Sequence, residues 1–212
     1  MVGRVAGTDE ELREWARLHD DYDLSRSRLV RGWLRGVNLL ARPLARHDVS
    51  PHVVTAAGVA TALAATVAPR RMAAGLVAVT AVLDGLDGAV AVQRGVTGRT
   101  GTVVDHVADR GTDVLFALAL RRAGARRGTA NAAAAVAVLF ESARDVLRLT
   151  GHAPRNLVTA GERPMRVAAV VTGLAVAPTA GATAVAALSA AAGLRLVRAV
   201  SRREAGPGPA HP

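Results

Sequence analysis

Residues 83–113 read "LDGLDGAVAVQRGVTGRTGTVVDHVADRGTD". The stretch holds five aspartates, Asp84, Asp87, Asp105, Asp109 and Asp113, and long apolar runs flank it on both sides. Asp84 and Asp87 are spaced i,i+3 and Asp105 and Asp109 i,i+4, so each pair shares one face of a helix. A short loop carrying Arg94 and Arg99 joins the two helices, which brings both carboxylate pairs to one level.

Working outward, apolar segments cover residues 52–69, 72–92, 101–120, 129–140, 167–178 and 179–194. A membrane-spanning helix needs about 20 residues, within a range of about 17–25. Six segments of about that length are obtained once their polar ends are included. They are rich in Gly and Ala, which favours close helix–helix approach. Ahead of them, residues 25–48 place Leu29, Val30, Trp33, Leu34, Val37, Leu40, Leu44 and Ala45 at helical spacing, punctuated by Arg28, Arg31, Arg35, Arg42 and Arg46. That pattern suits a basic amphipathic helix lying in the membrane interface. The expected fold is therefore an all-α membrane protein: an N-terminal interfacial amphipathic helix followed by a six-transmembrane-helix bundle. Residues 1–24 read as a polar cytosolic lead-in without an apolar signal segment. Residues 25–200 read as the membrane domain, and residues 201–212 as a disordered tail.

Composition agrees. Of 212 residues, 50% are hydrophobic, and the mean hydropathy is +0.25. The 27 basic residues are all Arg, and the net charge is +10. Such a charge suits nucleic acid or a membrane with basic loops facing anionic lipid. Aromatics at 2% leave few platforms for stacking bases, and the apolar runs do not fit a soluble nucleic-acid binder. With no Cys there is neither a disulfide nor a thiolate metal site. With six spans both termini share a side, and the Arg-rich segments at 28–46, 94–99, 155–163 and 195–203 assign that side to the cytosol. Arg70, Arg71, Arg121, Arg122, Arg126 and Arg127 fall on the other side and weaken the bias. The aspartate-bearing ends lie on the side of the termini.

A carboxylate in mid-bilayer costs about 2.5–3.5 kcal/mol on insertion scales, so four facing lipid would cost on the order of 10 kcal/mol. They must line a polar cavity or be neutralised. Four converging carboxylates suit a hard cation, Mg²⁺ or Mn²⁺, which also holds phosphate oxygens. Two such ions would bridge a pyrophosphate. Gly88, Ala91 and Gly101 are small residues beside these aspartates, where a ligand can approach the backbone.

The string Asp84-x-x-Asp87-Gly88-x-x-Ala91-Val92, eight residues, then Gly101-x-x-x-Asp105-x-x-x-Asp109 resembles the signature of the CDP-alcohol phosphotransferases. Every spacing matches, and the exception is the signature's Arg, replaced here by Val92. Ser50, Pro51 and Thr55 resemble a second family segment, in which His52 stands for the usual Asn. The resemblance covers roughly residues 25–200 and extends to the architecture. It implies transfer of a substituted phosphate group, phosphatidyl from CDP-diacylglycerol, to an alcohol with release of CMP, in phospholipid biosynthesis. It implies Asp84, Asp87, Asp105 and Asp109 around two Mg²⁺ or Mn²⁺ ions, with Asp109 also the general base. Thr55, Gly88, Ala91 and Gly101 would line the CDP site. It also implies a homodimer in the lipid bilayer, multi-pass, with no nucleic-acid partner.

Further along, "ESARDVLRLTGHAPRNLVTAGERPMRV" carries Arg144 and Arg148 at i,i+4 and Arg163 and Arg166 at i,i+3. These are candidates for binding a phosphorylated acceptor such as inositol phosphate or glycerol phosphate; ordinary positive-inside loop charge accounts for them equally well. Asp113 reads as a supporting salt-bridge or cavity residue. Two alternatives stand beside the enzyme reading. One is a catalytically impaired or non-enzymatic homologue, motivated by Val92. The other is a UbiA-type prenyltransferase, which has a third Asp on its first motif helix where this sequence has none.

Overall fold

The computed structural model describes residues 28–152 and 162–204. These form seven helices and no strand among the described residues: α1 (Arg28–Arg46), α2 (Pro51–Ala65), α3 (Arg70–Arg94), α4 (Arg99–Arg122), α5 (Arg127–Leu149), α6 (Arg163–Ala175) and α7 (Pro178–Glu204). The all-α expectation holds. Among the described residues, two helices are long and apolar enough to cross a membrane, α3 over its whole length and α7 over Pro178–Arg202. Helix α2 is apolar but short, at 15 residues, and α6 is shorter still, at 13. The lead-in at 1–24 lies outside the described residues. Of the segment read as a disordered tail, residues 201–204 continue α7, and the remainder lies outside the described residues.

The chain divides into two units, one up to Phe116 and one from Ala117 onward. In the first unit, local chemistry sets the helix ends. Ser50, with extended backbone, precedes α2, and Pro51 takes its first position, where a missing N–H costs nothing. Helix α3 stops at Gly95, whose φ of 62° is a left-handed conformation that glycine adopts without strain. The Gly95 and Val96 N–H groups close the end by donating to the carbonyls of Val92 and Ala91. A four-residue link then leads into α4, so α3 and α4 form a helical hairpin.

One face of α1 and one of α2 pack on α3. Val37 and Ala41 of α1, Val54 of α2, and Leu86, Ala89 and Val90 of α3 make the core of this unit. Gly85 faces α1, where a Cβ would make an ordinary contact of 3.5 Å with the Trp33 ring. Between α2 and α3 the Thr61 and Thr80 hydroxyls meet at 2.8 Å, so each polar group buried between these helices finds a partner.

In the second unit, Phe140 of α5 packs with Ala192 and Leu196 of α7. Helices α6 and α7 cross at Gly173 and Gly181, where a Cβ on either would lie 2.6 Å from the other's Cα. Only glycine fits at that crossing.

Candidate functional site

The α3–α4 hairpin sets the site. Asp84 and Asp87 stand on α3, eleven and eight residues before its glycine cap, and Asp105 and Asp109 on the second and third turns of α4. One carboxylate oxygen each from Asp84, Asp105 and Asp109 lies within 4.8 Å of the others, and all three residues are half-buried. Oxygens on opposite sides of a Mg²⁺ ion stand roughly 4 Å apart, at about 2.1 Å from the metal. A small inward movement of these side chains therefore accommodates a hard cation, and an all-oxygen donor set is what such a cation takes.

Asp87, the fourth expected ligand, stands apart from this trio. It is buried, with Oδ2 accepting a 2.6 Å hydrogen bond from the Thr55 hydroxyl and Oδ1 2.6 Å from the Gly88 backbone N–H. Thr55 Oγ also lies 3.1 Å from the Pro51 carbonyl, one turn earlier in α2. The Thr55–Asp87 bond ties the Ser50–Thr55 segment to the motif helix, a link that sequence spacing alone does not reveal.

Two of the small residues expected at the ligand site border open space. A Cβ added at Gly88 or Gly101 would meet nothing within 4 Å. Ala91 and Val92 are half-buried at the end of α3. The next two residues are turned elsewhere. Gln93 donates from Nε2 to the Asn38 carbonyl of α1 at 3.0 Å, while its buried Oε1 has no partner among the described residues. Arg94 donates from Nη1 to the Val49 carbonyl at 2.9 Å and lies 3.6 Å from the Asp48 carboxylate. Its guanidinium is thus held at the α1–α2 turn.

The second unit holds the arginines expected to bind an acceptor. Arg144 contacts Glu162 at 2.8 Å and Glu141 at 3.8 Å. Arg166, 2% exposed, contacts the other Glu141 oxygen at 2.8 Å. The order Glu162–Arg144–Glu141–Arg166 alternates in sign and joins the end of α5 to the start of α6. Arg163 is half-buried and Arg148 exposed. Glu141, the hub, went unnoticed in the sequence because its partner Arg166 lies 25 residues away. Asp113 is buried, at 7% exposure.

No protein-family model and no curated protein matches this chain. Solved structures do. The manganese and citrate complex of Mycobacterium tuberculosis phosphatidylinositol phosphate synthase (PgsA1) is 24% identical with a TM-score of 0.65, over 78% of this chain and 88% of that one. The same enzyme with CDP-DAG bound is 25% identical with a TM-score of 0.60, over 77% and 92%. Its apo form is 23% identical with a TM-score of 0.58, over 82% and 98%. The fold is that of the CDP-alcohol phosphotransferases. This agrees with the resemblance carried by the aspartate signature, which rests on different observations: residue spacing in the one case, helix arrangement in the other.

Proposed function

We propose that this chain is an integral-membrane CDP-alcohol phosphotransferase that moves a phosphatidyl group from CDP-diacylglycerol to an alcohol and releases CMP, in phospholipid biosynthesis. The observation that carries the reading is the gathering of Asp84, Asp105 and Asp109 on one helical hairpin. Its support comes from a fold shared with an enzyme solved with CDP-DAG and with manganese.

In this reading Asp84, Asp105 and Asp109 hold Mg²⁺ or Mn²⁺. Asp87 completes the set for two ions, since each of its oxygens keeps a second lone pair beyond its hydrogen bond. When bound, the ions neutralise the pyrophosphate and the charge that builds on the leaving group. Asp109 takes the proton from the acceptor hydroxyl, which raises the nucleophilicity of that oxygen. The new bond forms between the acceptor oxygen and the lipid-side phosphorus. The bond from that phosphorus to the bridging oxygen breaks, and CMP leaves with the electron pair. Thr55 holds Asp87 in place, and Thr55, Gly88, Ala91 and Gly101 line the CDP site, with open space beside the two glycines.

Acceptor binding is assigned to Arg144, Arg148, Arg163 and Arg166. An acceptor phosphate reaching Arg144 has to displace Glu162. The seven described helices fit an interfacial α1 followed by six spans, with the short α2 and α6 at helix lengths of roughly 22 and 20 Å. The carboxylates then face the cytosol, in a homodimer.

A second reading, a catalytically impaired homologue, is favoured by one observation. Val92 offers no charge, and the nearby Arg94 is engaged at the α1–α2 turn. Purified protein given CDP-diacylglycerol and a panel of alcohol acceptors, with and without Mg²⁺ or Mn²⁺, separates the two. Metal-dependent CMP release supports the enzyme. Metal and CDP binding without CMP release supports the impaired homologue, and absence of all three refutes both.

A further inference from the structure

Helix α1 presents three different edges. At roughly 100° per residue, Leu34, Val37, Asn38 and Ala41 form one stripe, and all four are buried. Val37 and Ala41 of this stripe pack on α3. Arg31, Arg35, Arg42 and Arg46 fall together on a second edge, within about 60° of one another. Trp33 and Leu40, 47% and 55% exposed, lie on the edge diametrically opposite the arginines. Arg31, Arg35 and Arg46 enter no ion pair among the described residues. A soluble polyanion would satisfy the arginines and leave Trp33 and Leu40 in water. A bilayer surface satisfies both edges at once, with the apolar edge among the acyl chains and the basic edge at the phosphates.

We infer that the arginine edge of α1 is a binding surface for anionic phospholipid headgroups, which it gathers around the first unit in preference to zwitterionic lipid. Each guanidinium offers paired donors to a phosphate, and a net negative headgroup adds an attraction that a zwitterionic one lacks. The inference requires a membrane location but no catalytic activity, so it stands or falls separately from the proposed reaction.

Trp33 is the reporter. The full chain with Trp15→Phe keeps Trp33 as its one tryptophan. It is placed in nanodiscs of phosphatidylcholine and phosphatidylglycerol, with brominated acyl chains on one lipid or the other. At equal mole fraction, brominated phosphatidylglycerol should quench Trp33 at least about twofold more than brominated phosphatidylcholine. That excess should shrink as salt is raised and disappear in the Arg31→Gln, Arg35→Gln, Arg46→Gln variant. Quenching by brominated phosphatidylcholine should then rise to match that by brominated phosphatidylglycerol, and its persistence checks that α1 still packs at the surface in that variant. If the triple variant fails this check, Arg35→Gln alone carries the test and must lower the excess. Equal quenching by the two lipids, or an excess that the variants retain, overturns the inference.

Discussion

In the first unit Asp84, Asp105 and Asp109 bring three like charges within 4.8 Å. In the second, Glu162, Arg144, Glu141 and Arg166 alternate in sign and cancel in pairs. Like charges at such separations repel, and the repulsion grows as water is excluded. A fold gathers them only when something else supports the arrangement, and a metal cation is the simplest candidate. The alternating chain is already paired, so an acceptor phosphate has to compete with Glu162 for Arg144. Its ion pairs join the end of α5 to the start of α6. A cluster of charge thus calls for a cation when its members share a sign, whereas an alternating one holds architecture together and must exchange a partner to take a ligand.

The sharpest way to break this contrast is Asp109→Asn. It should lower CMP release by about 10²–10⁴-fold, the usual contribution of a general base, while CDP binding measured by calorimetry persists. An unchanged rate would remove Asp109 from the chemistry. On the architectural side, Glu141→Leu removes the carboxylate paired with the buried Arg166 and should cost about 3–5 kcal/mol of stability. Glu141→Leu combined with Arg166→Met should recover most of that loss, because removing both charges removes the desolvation cost as well. Thermal unfolding in detergent reads both variants. A Glu141→Leu protein as stable as the parent would show that the pair is not structural.

Thr55→Ala removes the hydrogen bond to Asp87, worth about 1.5–3 kcal/mol to a charged acceptor, and should weaken Mn²⁺ or CDP binding by roughly tenfold. Thr55→Ser should retain most of it. Equal binding by all three would mean that Asp87 needs no orienting partner. The smallest effect is expected from Val92→Arg, which restores the signature residue. It should lower the KM for the CDP donor by a few-fold, in line with a partly exposed ion pair, without changing the acceptor KM. No change would indicate that this chain holds its nucleotide by other contacts.

Much of this organisation is legible in the sequence. The apolar runs anticipate helices α2 to α7 to within a few residues at most ends, because Pro51, Gly95 and the Arg-rich links punctuate them. The i,i+3 and i,i+4 spacings anticipate that Asp84, Asp105 and Asp109 meet, because both pairs flank a single short link, but not that Asp87 stands apart. What stays hidden depends on contacts between distant residues. Asp87 is one turn from Asp84, yet its partner is Thr55, 32 positions earlier. Glu141 reads as an ordinary polar helix end until Arg166 is seen against it. The α6–α7 crossing at Gly173 and Gly181 is likewise invisible among so many glycines, since composition does not say which of them another backbone touches. The sixfold span count is a matter of length, and only α3 and α7 pass a length-and-apolarity criterion. Asp105, Asp109, Arg110 and Asp113 within α4, and Glu141, Arg144 and Asp145 in α5, keep these two helices from doing so.

The four-residue link that Gly95 opens has a bearing on biosynthesis. All four signature aspartates fall between positions 84 and 109, so bringing them together closes a loop of only about 25 residues, and the entropic cost of closure grows slowly with length. Their assembly relies on nearest neighbours in the chain and not on distant strands or late-made helices. As the polypeptide leaves the ribosome, the carboxylate trio is complete in covalent terms once α4 has been made, before any of α5, α6 or α7 exists.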